Sequence, residues 1–114
     1  MESSFERLEG NTVKLTVTHS TEEVEAIIAE AYSSVARRVK LPGFRPGKAP
    51  RPLLDAQVGR DYILGQALES LVESSYPRAI DDQRLHPLDR PDTGTLDGLV
   101  EGEPYTYTAD VEVR

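Results

Sequence analysis

The sequence predicts an α+β fold: an antiparallel sheet of about four strands, packed on one face by a long helix and a second, Pro-kinked helix, with a protruding loop at 41–50. Three patterns carry this reading. Val13, Leu15 and Val17 alternate with Thr12, Lys14, Thr16 and Thr18, so that segment is a strand with one buried and one wet face. Tyr105, Tyr107, Ala109, Val111 and Val113 alternate with polar residues in the same way. Between them Val24, Ile27, Ile28, Ala31, Val35 and Val39 recur at helical spacing, an apolar stripe that needs a surface to cover. One-sided strands and one-sided helices satisfy each other as two layers.

In chain order, Phe5 to Leu8 and Thr12 to His19 flank Glu9-Gly10-Asn11, and Gly-Asn between extended runs signals a hairpin. Ser20-Thr21-Glu22-Glu23 reads as a capping box, with Ser20 as N-cap and Glu23 reaching back. The helix it opens is expected to run to about Lys40, with acids at its start and Arg37, Arg38 and Lys40 at its end, as the macrodipole favours. Pro50 to Val58 reads as a short helix stopped by Gly59. A further helix is expected from near Asp61, its stripe being Ile63, Leu64, Ala67, Leu68, Leu71, Val72, Tyr76, Ala79 and Ile80. Pro77 falls inside that stripe. Its ring clashes with the preceding turn, and because Ala79 and Ile80 keep the register, a kink is expected in place of an end. His86 to Gly94 reads as a loop or irregular edge strand, and Thr95 to Val100 is ambiguous.

Leu41 to Pro50 is neither helix nor central strand, because Pro42, Pro46 and Pro50 each fix φ and lack a backbone donor. Gly43 and Gly47 permit a sharp bend on either side of Phe44-Arg45. A segment that is irregular yet stiff loses little entropy on binding. Charge marks the same region. Residues 31–54 hold Arg37, Arg38, Lys40, Arg45, Lys48 and Arg51 and no acid, leaving seven basic against all 20 acidic residues elsewhere. The net charge of −7 therefore hides a positive tip on a strongly negative body, which can steer toward an anionic surface. Arg37, Arg38 and Lys40 also fit a simple role as helix-end charges, whereas an aromatic such as Phe44 is an unusual residue for a linker.

Gly43-Phe44-Arg45-Pro46-Gly47-Lys48-Ala49-Pro50 resembles the signature loop of trigger factor, the bacterial ribosome-associated chaperone family, and flanking features along all 114 residues agree with it. The resemblance implies that residues 1–114 form a single ribosome-docking domain of α+β fold. The isomerase and C-terminal client-binding domains of the family are absent from it. Gly43, Phe44, Arg45, Pro46, Gly47 and Lys48 are implied to form the ribosome-binding site, with Arg37, Arg38, Lys40 and Arg51 as a supporting basic patch. Implied partners are the large ribosomal subunit, through a ribosomal protein at the exit-tunnel rim and adjacent ribosomal RNA, and nascent polypeptides. The implied location is the bacterial cytoplasm. Many members carry Lys where this chain has Pro46, so no phosphate contact carries over to that position.

Other classes find little support. No run approaches the ~20 apolar residues of a membrane span, so no membrane association is expected, and Met1-Glu2 is unlike the start of a secretory signal. With no Cys there is no disulfide framework or thiolate metal site. His19 and His86 lie far apart in sequence, are expected at the surface, and suggest no metal. Gly43…Gly47-Lys48 departs from a phosphate-binding loop in glycine spacing, in Ala49, and in the helix before it, so neither nucleotide nor other cofactor is expected. No catalytic constellation is found. The fragment is expected not to be an enzyme, the prolyl cis-trans isomerase of the family residing in a separate domain. The alternative function is a stand-alone RNA-binding module using the 37–51 patch, against which stand the acidic body and sparse aromatics. A weak homodimer is a conditional further partner, requiring apolar residues on the wet face or edge of the sheet.

Overall fold

The computed structural model describes residues 1–45, 47–88 and 90–114. Its elements are β1 (Glu2–Arg7), β2 (Thr12–His19), α1 (Thr21–Arg38), α2 (Arg51–Gln57), α3 (Arg60–Asp82) and β3 (Tyr105–Glu112). The strands form an antiparallel sheet in the order β1-β2-β3. Among the described residues three strands stand where about four were expected. The fourth place, on the free edge of β3, is taken by isolated bridges, Asp92 to Asp110 and Pro87 to Val113. Pro87 and Pro91 remove two ladder donors from that short segment, so a regular strand cannot form there.

Gly10, at φ +68°, turns the β1–β2 hairpin, and the Leu8 amide closes it on Thr12 O at 2.9 Å. Register then places Phe5 opposite Leu15, and Leu15 opposite Ala109. The inward positions Val13, Leu15, Val17, Tyr105, Tyr107, Ala109 and Val111 are all buried. They meet Val24, Ile28, Tyr32, Val35 and Ala36 of α1 and Ile63, Ala67, Leu71, Ala79 and Ile80 of α3. Full burial of one such aliphatic side chain is worth about 1.5–3 kcal/mol. The outward face alternates Ser4, Glu6, Lys14, Thr16, Thr18, Thr106, Thr108 and Asp110, polar throughout among the described residues. That face offers no apolar contact for a homodimer, leaving the margin of β1, where Phe5 and Leu8 are exposed.

Ser20 caps α1 as expected, its Oγ accepting the Glu23 amide at 3.2 Å. The other half of the capping box is used differently, since the Glu23 carboxylate accepts from the Met1 ammonium and contacts His19 Nδ1 at 2.8 Å. A carboxylate gains more from charged or ring N–H donors than from a neutral backbone amide. His19 itself is buried, not at the surface as expected. It continues the inward alternation of β2 and stacks on Tyr107, whose hydroxyl is 2.7 Å from Ser75 Oγ. His86 is exposed. The third helix runs through Pro77 without ending there, as the register of Ala79 and Ile80 led one to expect, and both residues are buried.

The molecule is drawn out, with extents of 58 × 25 × 22 Å and a radius of gyration of 16.8 Å. A compact domain of this length would have a radius near ~13 Å. The 18 residues of α1 span roughly 27 Å, carrying the chain from the end of β2 to the loop that follows Arg38.

Candidate interaction site at the loop tip

The residues between α1 and α2 fold into two tight reversals. The Phe44 amide donates to Leu41 O at 3.2 Å, with Pro42 second and Gly43 third in the turn, the latter at φ +84°. Proline supplies the fixed negative φ that the second position of a type II turn requires, and glycine the positive φ of the third. The Lys48 amide donates to Arg45 O at 3.0 Å, with Gly47 at φ +85°. The Gly47 amide in turn donates to Ala36 O at 2.9 Å, tying the second reversal to the last turn of α1. The expectation for Pro46 lies outside the described residues.

These turns hold Phe44 out of the core, 44% exposed, beside a shallow open depression lined by Lys40, Leu41, Pro42 and its own ring. Arg45 and Lys48 are exposed next to it, as are Gly43 and Gly47. Arg37, Arg38, Lys40 and Arg51 are exposed on the adjoining stems. Among the described residues, none of these six cations forms an ion pair with a carboxylate. Arg37 reaches only the hydroxyl of Ser33, at 3.4 Å, and Arg51 lies over the ring of Tyr32. The structure thus brings Phe44, Arg45 and Lys48 together with the stem cations at the C-terminal end of α1. Such a surface can place an aromatic ring in a shallow pocket while charge-assisted hydrogen bonds form around it.

Below the loop lies a polar cluster that the spacing of residues did not reveal. Tyr32 is buried, and its hydroxyl donates to Asp55 Oδ1 at 2.6 Å. Burial first, and the neighbouring Asp55 carboxylate second, push the Tyr32 hydroxyl up to about 12. Arg60 approaches Asp55 Oδ2 at 3.8 Å and Glu101 at 3.0 Å. The hydrogen bond from Arg60 to Glu101 raises the guanidinium above its ordinary range. Tyr32 follows Val24 and Ile28 at four-residue spacing, and that spacing was the available signal; its contact with Asp55 depends on how α2 packs.

No group of three or more His, Cys, Asp or Glu residues among those described is arranged to hold a metal ion. No helix among the described residues is long and apolar enough to cross a membrane.

A sequence profile of the family described as "Bacterial trigger factor protein (TF)" matches residues 1–114, the whole chain. The chain belongs to the trigger factor family. It is 38% identical over 114 residues to the trigger factor of Acidothermus cellulolyticus, covering all of this chain and 25% of that one. It is 40% identical over the same length to the trigger factor of Carboxydothermus hydrogenoformans, covering 26% of it. The chain therefore spans about a quarter of the length of these relatives. Among solved structures it is similar to one described under "Promiscuous Substrate Recognition in Folding and Assembly Activities of the Trigger Factor Chaperone", with a TM-score of 0.72 at 22% identity, covering 99% of this chain and 26% of that one. At that identity the likeness establishes the α+β fold. The resemblance of Gly43 to Pro50 to the trigger factor loop thus agrees with a match along the full chain.

Proposed function

We propose that this chain is the ribosome-docking domain of a trigger-factor-type chaperone, holding it on the large subunit beside the polypeptide exit tunnel so that nascent chains are met as they emerge. The observation that carries the proposal is the exposed Phe44 ring, held by two closed turns among cations that have no carboxylate partner among the described residues. A ring kept out of its own core, though the molecule has one, is available to another surface. Arg45 pairs with a carboxylate or phosphate of the ribosome, in bidentate fashion where geometry allows. Phe44 enters an apolar pocket there, and Lys48 with Arg37, Arg38, Lys40 and Arg51 adds longer-range attraction to ribosomal RNA. The acidic body resists non-specific adhesion to RNA.

A contact of this size suits reversible binding, since a small interface sits at the weak end of the range for protein complexes. In this reading, isomerase and client-binding functions belong to other parts of a longer chain, the place of action is the bacterial cytoplasm, and this domain performs no catalysis. Equilibrium binding to purified large ribosomal subunits over a salt series tests the proposal. Binding is expected to weaken steadily as salt rises, because released counterions contribute to the affinity. Binding of naked single-stranded RNA as tight as that of subunits would instead favour a stand-alone RNA-binding module.

A further inference from the structure

We infer that Tyr32 is a positioning residue for the docking loop: its hydroxyl on Asp55 and its ring beneath Arg51 fix the loop's second stem against its first. The functional half of this inference rests on the docking reading, whereas its structural half stands on the free chain. The first stem, α1, is seated in the core by Val24, Ile28, Tyr32, Val35 and Ala36. The second, α2, has seven residues and buries Leu54. An isolated helix of that length does not persist in water, so tertiary contacts hold it.

Tyr32 supplies two of those contacts from one side chain. Its hydroxyl donates to Asp55 Oδ1 at 2.6 Å, and the Arg51 guanidinium lies 4.7 Å from its ring centroid. Arg51 and Asp55 stand four residues apart, on the same face of α2, so the grip extends over a full turn. A hydrogen bond to a carboxylate is stronger than one between neutral groups. Arg60 joins the carboxylate from the start of α3 and continues to Glu101, extending the clamp to the segment before β3.

The consequence reaches the tip. Gly47 reaches Ala36 O on α1, whereas Pro50 leads directly into α2. If α2 swings away from Tyr32, the strand of loop between those two points must follow and the Gly47 bond opens. A latch at Tyr32 therefore keeps Phe44 and Arg45 in one arrangement before any partner arrives, lowering the entropy lost on docking.

Tyr32→Phe removes the hydroxyl and leaves the ring, the Arg51 contact and the Leu54 packing in place. Amide hydrogen exchange in the free chain is expected to accelerate roughly tenfold at Gly47, Lys48 and Val58, with Leu15, Val17 and Tyr107 unchanged. Asp55→Asn, which retains an acceptor, is expected to accelerate the same amides less. Uniform acceleration, or none at the loop, overturns the latch. Affinity for large ribosomal subunits is then compared with that of Phe44→Ala/Arg45→Ala. The expected result is a several-fold loss for Tyr32→Phe and a larger one for the tip variant. If the tip variant loses binding while Tyr32→Phe, despite faster loop exchange, binds as the parent does, the functional half is overturned. If the tip variant itself binds as the parent does, the docking reading fails, and the latch is decided by the exchange data.

Discussion

The amide of Gly47 donates to the carbonyl of Ala36 at 2.9 Å, so the loop caps the helix that carries it. The last carbonyls of a helix have no partner within it, and each buried one must find a donor elsewhere. Val39 satisfies Val35, and Gly47, eleven residues beyond Ala36, satisfies Ala36. The helix end and the loop tip are thereby one structural unit, which explains how a segment rich in proline and glycine holds a defined shape.

Replacing Gly47 tests that unit. Its φ of +85° is costly for any residue with a Cβ, although the added methyl would meet only Arg37 Cγ at 3.6 Å, an ordinary contact. Gly47→Ala is expected to lower stability by about 1–2 kcal/mol in chemical denaturation, through backbone strain. Gly65 gives the contrast: it lies inside α3 with open space around its Cβ position, and Gly65→Ala is expected to raise stability by about 0.5–1 kcal/mol. Equal effects at the two sites would contradict the backbone account.

Phe44→Ala is expected to be nearly silent for folding, within about 0.5 kcal/mol of the parent, because the ring lies outside the core. Ile28→Ala, at a fully buried core site on α1, is expected to cost about 2–5 kcal/mol. Thermal or urea unfolding of the two variants checks this. A loss at Phe44 comparable to that at Ile28 would mean that the ring serves its own domain.

Acid stability has an identifiable contributor. The hydrogen bond from the Met1 ammonium first, and that with His19 second, hold the Glu23 carboxyl down from 4.5 to about 2. Because the folded-state value is lower than the unfolded one, the stabilisation is fully present above about pH 4.5 and is lost as pH falls through about 2. Unfolding measured across that window should show the gap between parent and Glu23→Gln closing toward low pH. A gap independent of pH would remove Glu23 as the titrating group.

What the sequence made legible was local. Ser20 as a cap, the α1 stripe and the Pro42-Gly43 turn each follow from conformational preferences within a few residues, and each stands in the structure. His19 shows how a residue-type expectation gives way to position. Polarity suggested the surface, but the two-residue period of β2 points it inward, where Glu23 and Tyr107 receive it. The missing fourth strand reflects prolines that leave room for bridges but not for a ladder. The Tyr32–Asp55 contact joins residues 23 apart, and no local rule specifies which face of α2 meets α1. At the tip, the exposure of Phe44, Arg45 and Lys48 in an irregular loop was readable because proline and glycine exclude regular structure around them.

The central claim is that an exposed ring and its neighbouring cations grip the ribosome. Co-sedimentation of the parent chain and Phe44→Ala/Arg45→Ala with large ribosomal subunits, at matched stability, tests it most directly. Removing an apolar anchor and a charge-assisted contact together is expected to weaken binding by about a hundredfold or more. Undiminished recovery of the double variant with the subunits would contradict the claim.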